Sequence, residues 1–353
     1  MQTMVLDSFG GQFRQENRPI PEPGAGDVLV RVHAVGAGMT LEHMRLGRLG
    51  GSTPRILGHE FSGTIVATGA NVHAFTTGMQ VTASFYHLCG SCTWCACGRE
   101  TLCENMQGYI GAVSDGAFAE YIVVPAQNLV PIPEGVPLLT AGVVADAIAT
   151  PYHVASKRIG LLPGQRVVVI GAGGGLGVHM LGIVRAFGGV AIAVERAEEK
   201  AAELERRGLA EVVFLPEGSD WAASLRRAVG GEIAAVVDTV ASTETLTEGV
   251  KLVGRAGTFV VLGFSPGTML AVDPTRLLLE EVVVTGTRYA SRAEIAQALE
   301  LVRQERVEPV VGATFPLVEL NAAFDAIRAN DVFGRVVIEC PDTADTEKAN
   351  AQP

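Results

Sequence analysis

The feature that most constrains this chain is the run Val167-Val-Val-Ile170, which leads into Gly171-Ala-Gly-Gly-Gly-Leu-Gly177 and then an apolar helical pattern. A β-branched strand that ends in glycines at a helix start lets backbone N–H groups approach a pyrophosphate, where the helix dipole favours negative charge. A glycine cluster alone can be a tight turn. The strand before it and the helix after it favour a nucleotide site. The next apolar run, Val190-Ala-Ile-Ala-Val194, ends at Glu195, eighteen residues past Gly177. An acidic group there hydrogen-bonds a ribose diol and repels a 2′-phosphate, so NAD is expected over NADP. Arg196 beside it argues the other way, since an arginine can meet a phosphate. The candidate cofactor residues are Gly171, Gly173, Gly174, Gly175, Leu176, Gly177, Glu195 and Arg196.

The surrounding pattern fits such a turn. Short β-branched runs at Val167–Ile170, Ala191–Val194, Val212–Phe214, Ala235–Val237, Thr258–Leu262 and Val282–Thr285 alternate with helical stretches such as Ala197–Arg207. Strands alternating with helices predict an α/β, doubly wound parallel sheet. The first 150 or so residues read differently, as many short strands: Val28–Val35, Phe61–Thr68, Met79–Phe85 and Ala119–Val124, separated by Gly and Pro turns. Beyond Tyr289 the pattern predicts a helix over Arg292–Glu305, a strand over Val310–Phe315 and a helix over Leu320–Asn330. The tail from Pro341 is small and polar and reads as disordered. The β-rich pattern thus gives way to the alternating one near residue 150.

At 353 residues the chain is long enough for two cores, and 42 glycines, about 12% of the chain, point to tight turns and close backbone approach. The net charge of −11, with no basic block, argues against a nucleic-acid partner. The N-terminus has neither a basic leader nor a long apolar run. The most apolar stretch, Val167–Val194, is broken by the glycine cluster and Arg185, so neither a secretory signal nor a membrane partner is expected. Five of the six cysteines crowd between Cys89 and Cys103, which suits metal binding in a reducing compartment, with cytoplasm the default. Cys89, Cys92, Cys95 and Cys103 have the spacing C-x2-C-x2-C-x7-C, which suits a closed tetrahedral zinc site; disulfides or an iron–sulfur cluster are the alternatives. With all four ligands from the chain, such a zinc would be structural. Cys97 falls outside the spacing, and Cys340 reads as a small buried hydrophobe.

Taken together, Gly58-His-Glu-Phe-Ser-Gly63, the cysteine lobe, the glycine turn and Gly334-Arg335-Val-Val-Ile338 resemble the zinc-containing medium-chain dehydrogenases/reductases, the alcohol dehydrogenase superfamily. The resemblance spans nearly the whole chain. Ala145-Asp-Ala-Ile-Ala-Thr-Pro-Tyr-His153 is similar to the cyclic-alcohol and acyl-CoA-type members. The resemblance implies a partly open, β-rich, GroES-like catalytic domain (1–153 with 289–353) interrupted by a Rossmann domain (154–288), with the active site in a cleft. It also implies a small-molecule substrate, a homodimer or homotetramer, and Arg335 near the cofactor pyrophosphate. A surface arginine is the alternative for Arg335.

The same resemblance marks a departure. The family holds its catalytic zinc with a cysteine, the histidine of Gly-His-Glu and a third Cys, Asp or Glu. His59 matches the second ligand and Asp146 the third, but Gly38 stands at the cysteine. Leu41 stands where an aspartate would orient the histidine. Losing a ligand and its support argues against tight zinc, although Glu60 could swing in beside His59 and Asp146. Thr40 and His43 match the family's proton relay, sound acid–base chemistry near neutral pH; an ordinary helix-face histidine is the alternative for His43. Tyr86 and His87 either line the pocket or pack. Three functions stay open: NAD(H)-dependent alcohol/carbonyl oxidoreduction, NAD(P)H-dependent reduction of activated C=C bonds, and a non-redox lyase, isomerase or binding protein that retains the nucleotide.

Overall fold

The computed structural model describes residues 1–218 and 220–340; the polar tail from Pro341 lies outside the described residues. The chain forms two units, one of Met1–Ala149, Ala290–Gln304 and the chain from Val311 onward, the other of Thr150–Tyr289 and Glu305–Val310. The first boundary falls a few residues before the expected one, and residues 305–310 return to the second unit. Specific bonds explain the return. Arg306 donates to the Ala186 carbonyl, and the Val310 N–H donates to His179 Nε2 at 2.8 Å. An Nε2 that accepts leaves the proton on Nδ1, which lies 2.6 Å from the Gly175 carbonyl. One buried imidazole thus ties the glycine turn to the returning strap.

The first unit is built on a seven-stranded sheet in the order Leu129–Pro131, Gln80–Ala83, Glu60–Thr68, Asp27–Ala37, Arg335–Glu339, Val311–Pro316, with Tyr121–Pro125 also pairing with Asp27–Ala37. All four strands read from alternation are present. Three short strands, Gln2–Leu6, Phe13–Asn17 and Arg55–Ile56, form a separate small sheet that the sequence reading lacked. Phe13–Asn17 buries only Phe13, so it has little periodic signal to read.

Two registers in the large sheet set up the site. Gly36 pairs with Glu60, and Val336 pairs antiparallel with Ala37. The next step of that register sets Arg335 opposite Gly38.

The second unit is a six-stranded, wholly parallel sheet in the order Val212–Phe214, Val190–Val194, Arg166–Ile170, Ile233–Asp238, Thr258–Val261, Val283–Gly286. Its four inner strands are almost wholly buried, as in a parallel sheet flanked by helices, and Ile170, Val236, Phe259, Trp221 and Leu225 are buried in its core. The order reverses between Arg166–Ile170 and Ile233–Asp238, the switch point where such sheets bind ligands at their carboxyl ends. No helix among the described residues is long and apolar enough to cross a membrane.

Candidate functional site

At that switch point the glycine turn is closed around bare backbone. Gly171 has φ +76°, and a Cβ there would meet Thr239 Oγ1 at 2.6 Å. A Cβ on Gly177 would lie 2.1 Å from the Gly171 carbonyl, and one on Gly173 would lie 3.0 Å from Glu195 Oε2. The helix that follows, Gly177–Ala186, starts directly from this turn. Glu195 Oε2 accepts the Gly173 N–H at 2.8 Å, while Oε1 accepts those of Arg196 and Ala197 at 2.8 and 3.1 Å. Two carboxylate oxygens offer about four acceptor positions, so this pinning leaves one for a ribose hydroxyl. Arg196 reaches instead to Glu244, 2.5 Å away. Bare glycines, a helix start and a fixed carboxylate fit a dinucleotide.

In the first unit, Cys89, Cys92, Cys95 and Cys103 bring their sulfurs within 4.8 Å of one another. Cys89 lies 4.0 Å from Cys95 and 3.5 Å from Cys103, and Cys92 lies 3.6 Å from Cys95. A tetrahedral zinc with Zn–S bonds of about 2.3 Å needs sulfurs about 3.8 Å apart, so this donor set fits zinc. Backbone N–H groups of Ser91 and Cys92 hold the Cys89 thiol down at about 5, whereas burial pushes Cys95 up to about 12. Cys97 is exposed and leans on the Trp94 carbonyl, outside the four. The lobe is fastened by Glu100, which accepts the Arg292 N–H at 2.8 Å.

Around Gly38 the donors are arranged otherwise. His59, Glu60, Asp146 and Arg335 are all at least 96% buried. Arg335 donates through Nε and Nη2 to Glu60 Oε2 at 3.1 and 2.7 Å, and through Nη2 to Asp146 Oδ2 at 2.9 Å. Glu60 Oε1 accepts the N–H groups of Asp146 and Ala147, both at 2.8 Å. These belong to the π-helical turn Val144–Ile148, a kind of irregularity frequent at functional sites. His59 Nε2 lies 3.7 Å from Asp146 Oδ2. A Cβ on Gly36 would fall 2.2 Å from Glu60 Oε2, and one on Gly38 would fall 2.4 Å from Arg335 Nη1. The two glycines leave room for the carboxylate and the guanidinium.

Burial lifts Glu60 above the usual carboxylate range despite Arg335. Burial would raise Asp146 as well, but Arg335 and His59 outweigh it and hold Asp146 below that range. A divalent cation beside His59 and Asp146 would face the guanidinium already bonded to Asp146. These residues do not fit a catalytic zinc. Glu60 is turned to Arg335 and the backbone, away from the ligand role that the sequence left open for it. Arg335, expected beside the cofactor pyrophosphate, has its guanidinium between Glu60 and Asp146. Among the described residues the four cysteines form the only convergent metal-binding set.

Thr40 and His43 share the helix Met39–Arg45 that starts at Gly38, with Thr40 half-buried and His43 buried. Arg48 Nη1 lies 3.2 Å from His43 Nδ1; since a guanidinium only donates, Nδ1 accepts and Nε2 carries the proton. Glu42 and Arg45, which flank His43 in sequence, pair with each other, and Arg45 also caps the Gly10 and Gly11 carbonyls. Leu41 is fully buried. Tyr86 packs between Phe85 and Tyr109, with ring centroids 4.9 and 5.2 Å away. His87 meets Ser114 Oγ at 2.8 Å, and burial lowers its pKa. Sequence reading missed Gly36, the partners of Arg335 and the His179 tie. The visible signal was Gly36-x-Gly38 on one face of a strand, across from an arginine.

Two family models match: "Alcohol dehydrogenase GroES-like domain" over residues 24–134 and "Zinc-binding dehydrogenase" over residues 175–304. The chain is 31% identical to an NAD-dependent alcohol dehydrogenase of Sulfurisphaera tokodaii, across 96% of this chain and 99% of that one. It is 28% identical to an acryloyl-coenzyme A reductase of the same organism, across 96% of this chain and 100% of that one. Among solved structures, AibC superposes with a TM-score of 0.90 at 31% identity, covering 97% of this chain and 96% of its own.

Proposed function

Because the chain belongs to the medium-chain dehydrogenase/reductase superfamily of alcohol dehydrogenases, we propose that it is an NAD(H)-dependent oxidoreductase that interconverts an alcohol and a carbonyl with a single, structural zinc in the cysteine lobe. The observation that carries this reading is Arg335, whose guanidinium lies beside Gly38 and pairs with Glu60 and Asp146. A bound reduced dinucleotide would supply a hydride to the carbonyl carbon, with one proton going to its oxygen to give the alcohol. The glycine turn and the Gly177–Ala186 helix start receive the pyrophosphate. Glu195 takes the ribose diol, which favours NAD over NADP.

Energetics shape the rest. A zinc that lowers a bound water's pKa from about 15.7 to about 7 is worth roughly 12 kcal/mol of oxyanion stabilisation. Thr40 and His43 cannot supply that much. They suit a carbonyl protonated as the hydride arrives, so that no free alkoxide forms. His43 reaches neutral-pH proton transfer only if a proton enters at Nδ1 as one leaves Nε2, which requires Arg48 to move aside.

A second reading, reduction of an activated C=C bond, is supported by the likeness to an acryloyl-coenzyme A reductase and by chemistry that needs no alkoxide. Loss of NADH absorbance with a panel of ketones, enones, quinones and an enoyl thioester separates the two. Turnover with ketones is expected. Turnover with enones or enoyl thioesters alone assigns the second reading, and tight NADH binding without turnover defeats both.

A further inference from the structure

Resting on the dinucleotide-binding part of the redox reading, we propose that His179 is a positioning residue. Its Nδ1–H holds the Gly175 carbonyl so that the Leu176 N–H faces the cofactor pyrophosphate. Every residue involved lies within the second unit. The imidazole is 1% exposed, and each ring nitrogen meets a backbone group. The Val310 N–H, 2.8 Å from Nε2, can only donate, so Nε2 accepts. The Gly175 carbonyl, 2.6 Å from Nδ1, can only accept, so Nδ1 carries the proton. The strap residue Val310 thereby fixes the tautomer that makes His179 a donor toward the glycine turn.

Peptide geometry carries the effect one group further. The Gly175–Leu176 peptide is trans, so its C=O and N–H point in opposite directions. With the carbonyl turned toward His179, the Leu176 N–H points away from it. That N–H donates to nothing among the described residues. Gly174, Gly175 and Leu176 are also part-exposed, whereas Gly177, Val178, His179 and Met180 are buried. The free donor thus sits on the reachable side of the turn, at the start of the Gly177–Ala186 helix, where the dipole favours a phosphate. Turned over, the same peptide would present its carbonyl oxygen to the phosphate and repel it. Three consecutive glycines, Gly173-Gly-Gly175, have little of their own to hold one orientation. The buried imidazole supplies the missing restraint.

Amide side chains separate the two halves of the imidazole. An asparagine ends near the Nδ1 position and keeps a donor for Gly175, while a glutamine ends near Nε2 and keeps an acceptor for Val310. A histidine that only holds the fold needs both bonds, whichever ligand is bound. A histidine that aims the turn needs the Nδ1 bond most, and only for ligands that carry the pyrophosphate.

The test measures dissociation constants of NADH, ADP-ribose and adenosine for the full chain as wild type, His179→Asn and His179→Gln. His179→Gln should weaken NADH and ADP-ribose about tenfold, the worth of one hydrogen bond, and leave adenosine, which has no phosphate, unchanged. His179→Asn should stay close to wild type for all three. Equal losses in the two variants, a parallel loss for adenosine, or wild-type affinity in His179→Gln overturns the proposal. If His179→Gln fails to fold, Leu176→Pro, which deletes that one N–H, replaces it. Weakened ADP-ribose with unchanged adenosine then supports the assignment, and wild-type ADP-ribose affinity refutes it. Wild-type dinucleotide affinity in His179→Gln together with NADH oxidation leaves the redox reading standing and removes this one. The expected binding pattern without NADH oxidation by any acceptor does the reverse.

Discussion

The cysteine lobe and the Gly38 cluster both gather groups suited to a cation, yet they meet the resulting charge in opposite ways. In the lobe, four sulfurs converge at a spacing that suits a tetrahedral zinc, on a loop with two short helical turns. Around Gly38, two buried carboxylates and a histidine converge on a strand end and a π-helical turn, and the chain supplies the cation itself as Arg335. The lobe offers its donors to a cation from outside, whereas the Gly38 cluster is already paired with one from the chain. Gly38 leaves the guanidinium its space, since a Cβ there would lie 2.4 Å from Arg335 Nη1.

The comparison can be broken most forcefully at the lobe. Cys92→Ser should abolish zinc binding there. Structural zinc contributes on the order of 10 kcal/mol to small zinc-folded modules, so a large fall in Tm is expected, read by calorimetry alongside elemental analysis. Unchanged Tm after zinc loss would mean that the lobe does not need its metal.

Next comes Arg335→Met. Removing one partner of a buried ion pair costs about 3–5 kcal/mol, and adding Glu60→Gln should recover part of it. Acid unfolding sharpens this test. Asp146 is held low by Arg335 and His59, so its stabilisation is full above the ordinary carboxylate pKa and is lost as pH falls through the lowered value. Without Arg335 that loss should begin at higher pH. Glu60, raised by burial, acts in the opposite sense, so Glu60→Gln should make the Asp146 effect easier to see.

His43→Ala should lower the single-turnover rate by about 10²-fold with little change in NADH affinity, and Thr40→Val tests the same path at nearly constant volume. Wild-type rates in both would remove the relay. The smallest effect is expected at Glu195→Ala, where the preference for NADH over NADPH should shrink by about tenfold, a difference of about 1.4 kcal/mol, measured as dissociation constants. Tighter NADPH binding by wild type would point to Arg196 instead.

The second unit was legible in the sequence because its four inner strands are almost wholly buried and read as continuous apolar runs; all six strands lie where the runs are. Alternation revealed Asp27–Ala37 and Glu60–Thr68 for the same kind of reason. Two-residue strands such as Arg55–Ile56, and the π-helical turn that carries Asp146, have no period long enough to detect. The cysteines were readable because their ligand spacing is local. Arg335 was not, because its partners lie 275 and 189 residues away and only sheet register brings them together. Gly38 was visible in the sequence; the guanidinium beside it was not.

The most direct measurement is the zinc content of the wild-type protein after dialysis against a mild chelator, compared with Gly38→Cys and with Gly38→Cys/Arg335→Ala. The account predicts one equivalent per chain for wild type and for Gly38→Cys, held by Cys89, Cys92, Cys95 and Cys103, with a second equivalent appearing only when Arg335 is also removed. Two tightly held equivalents in the wild-type protein would contradict it.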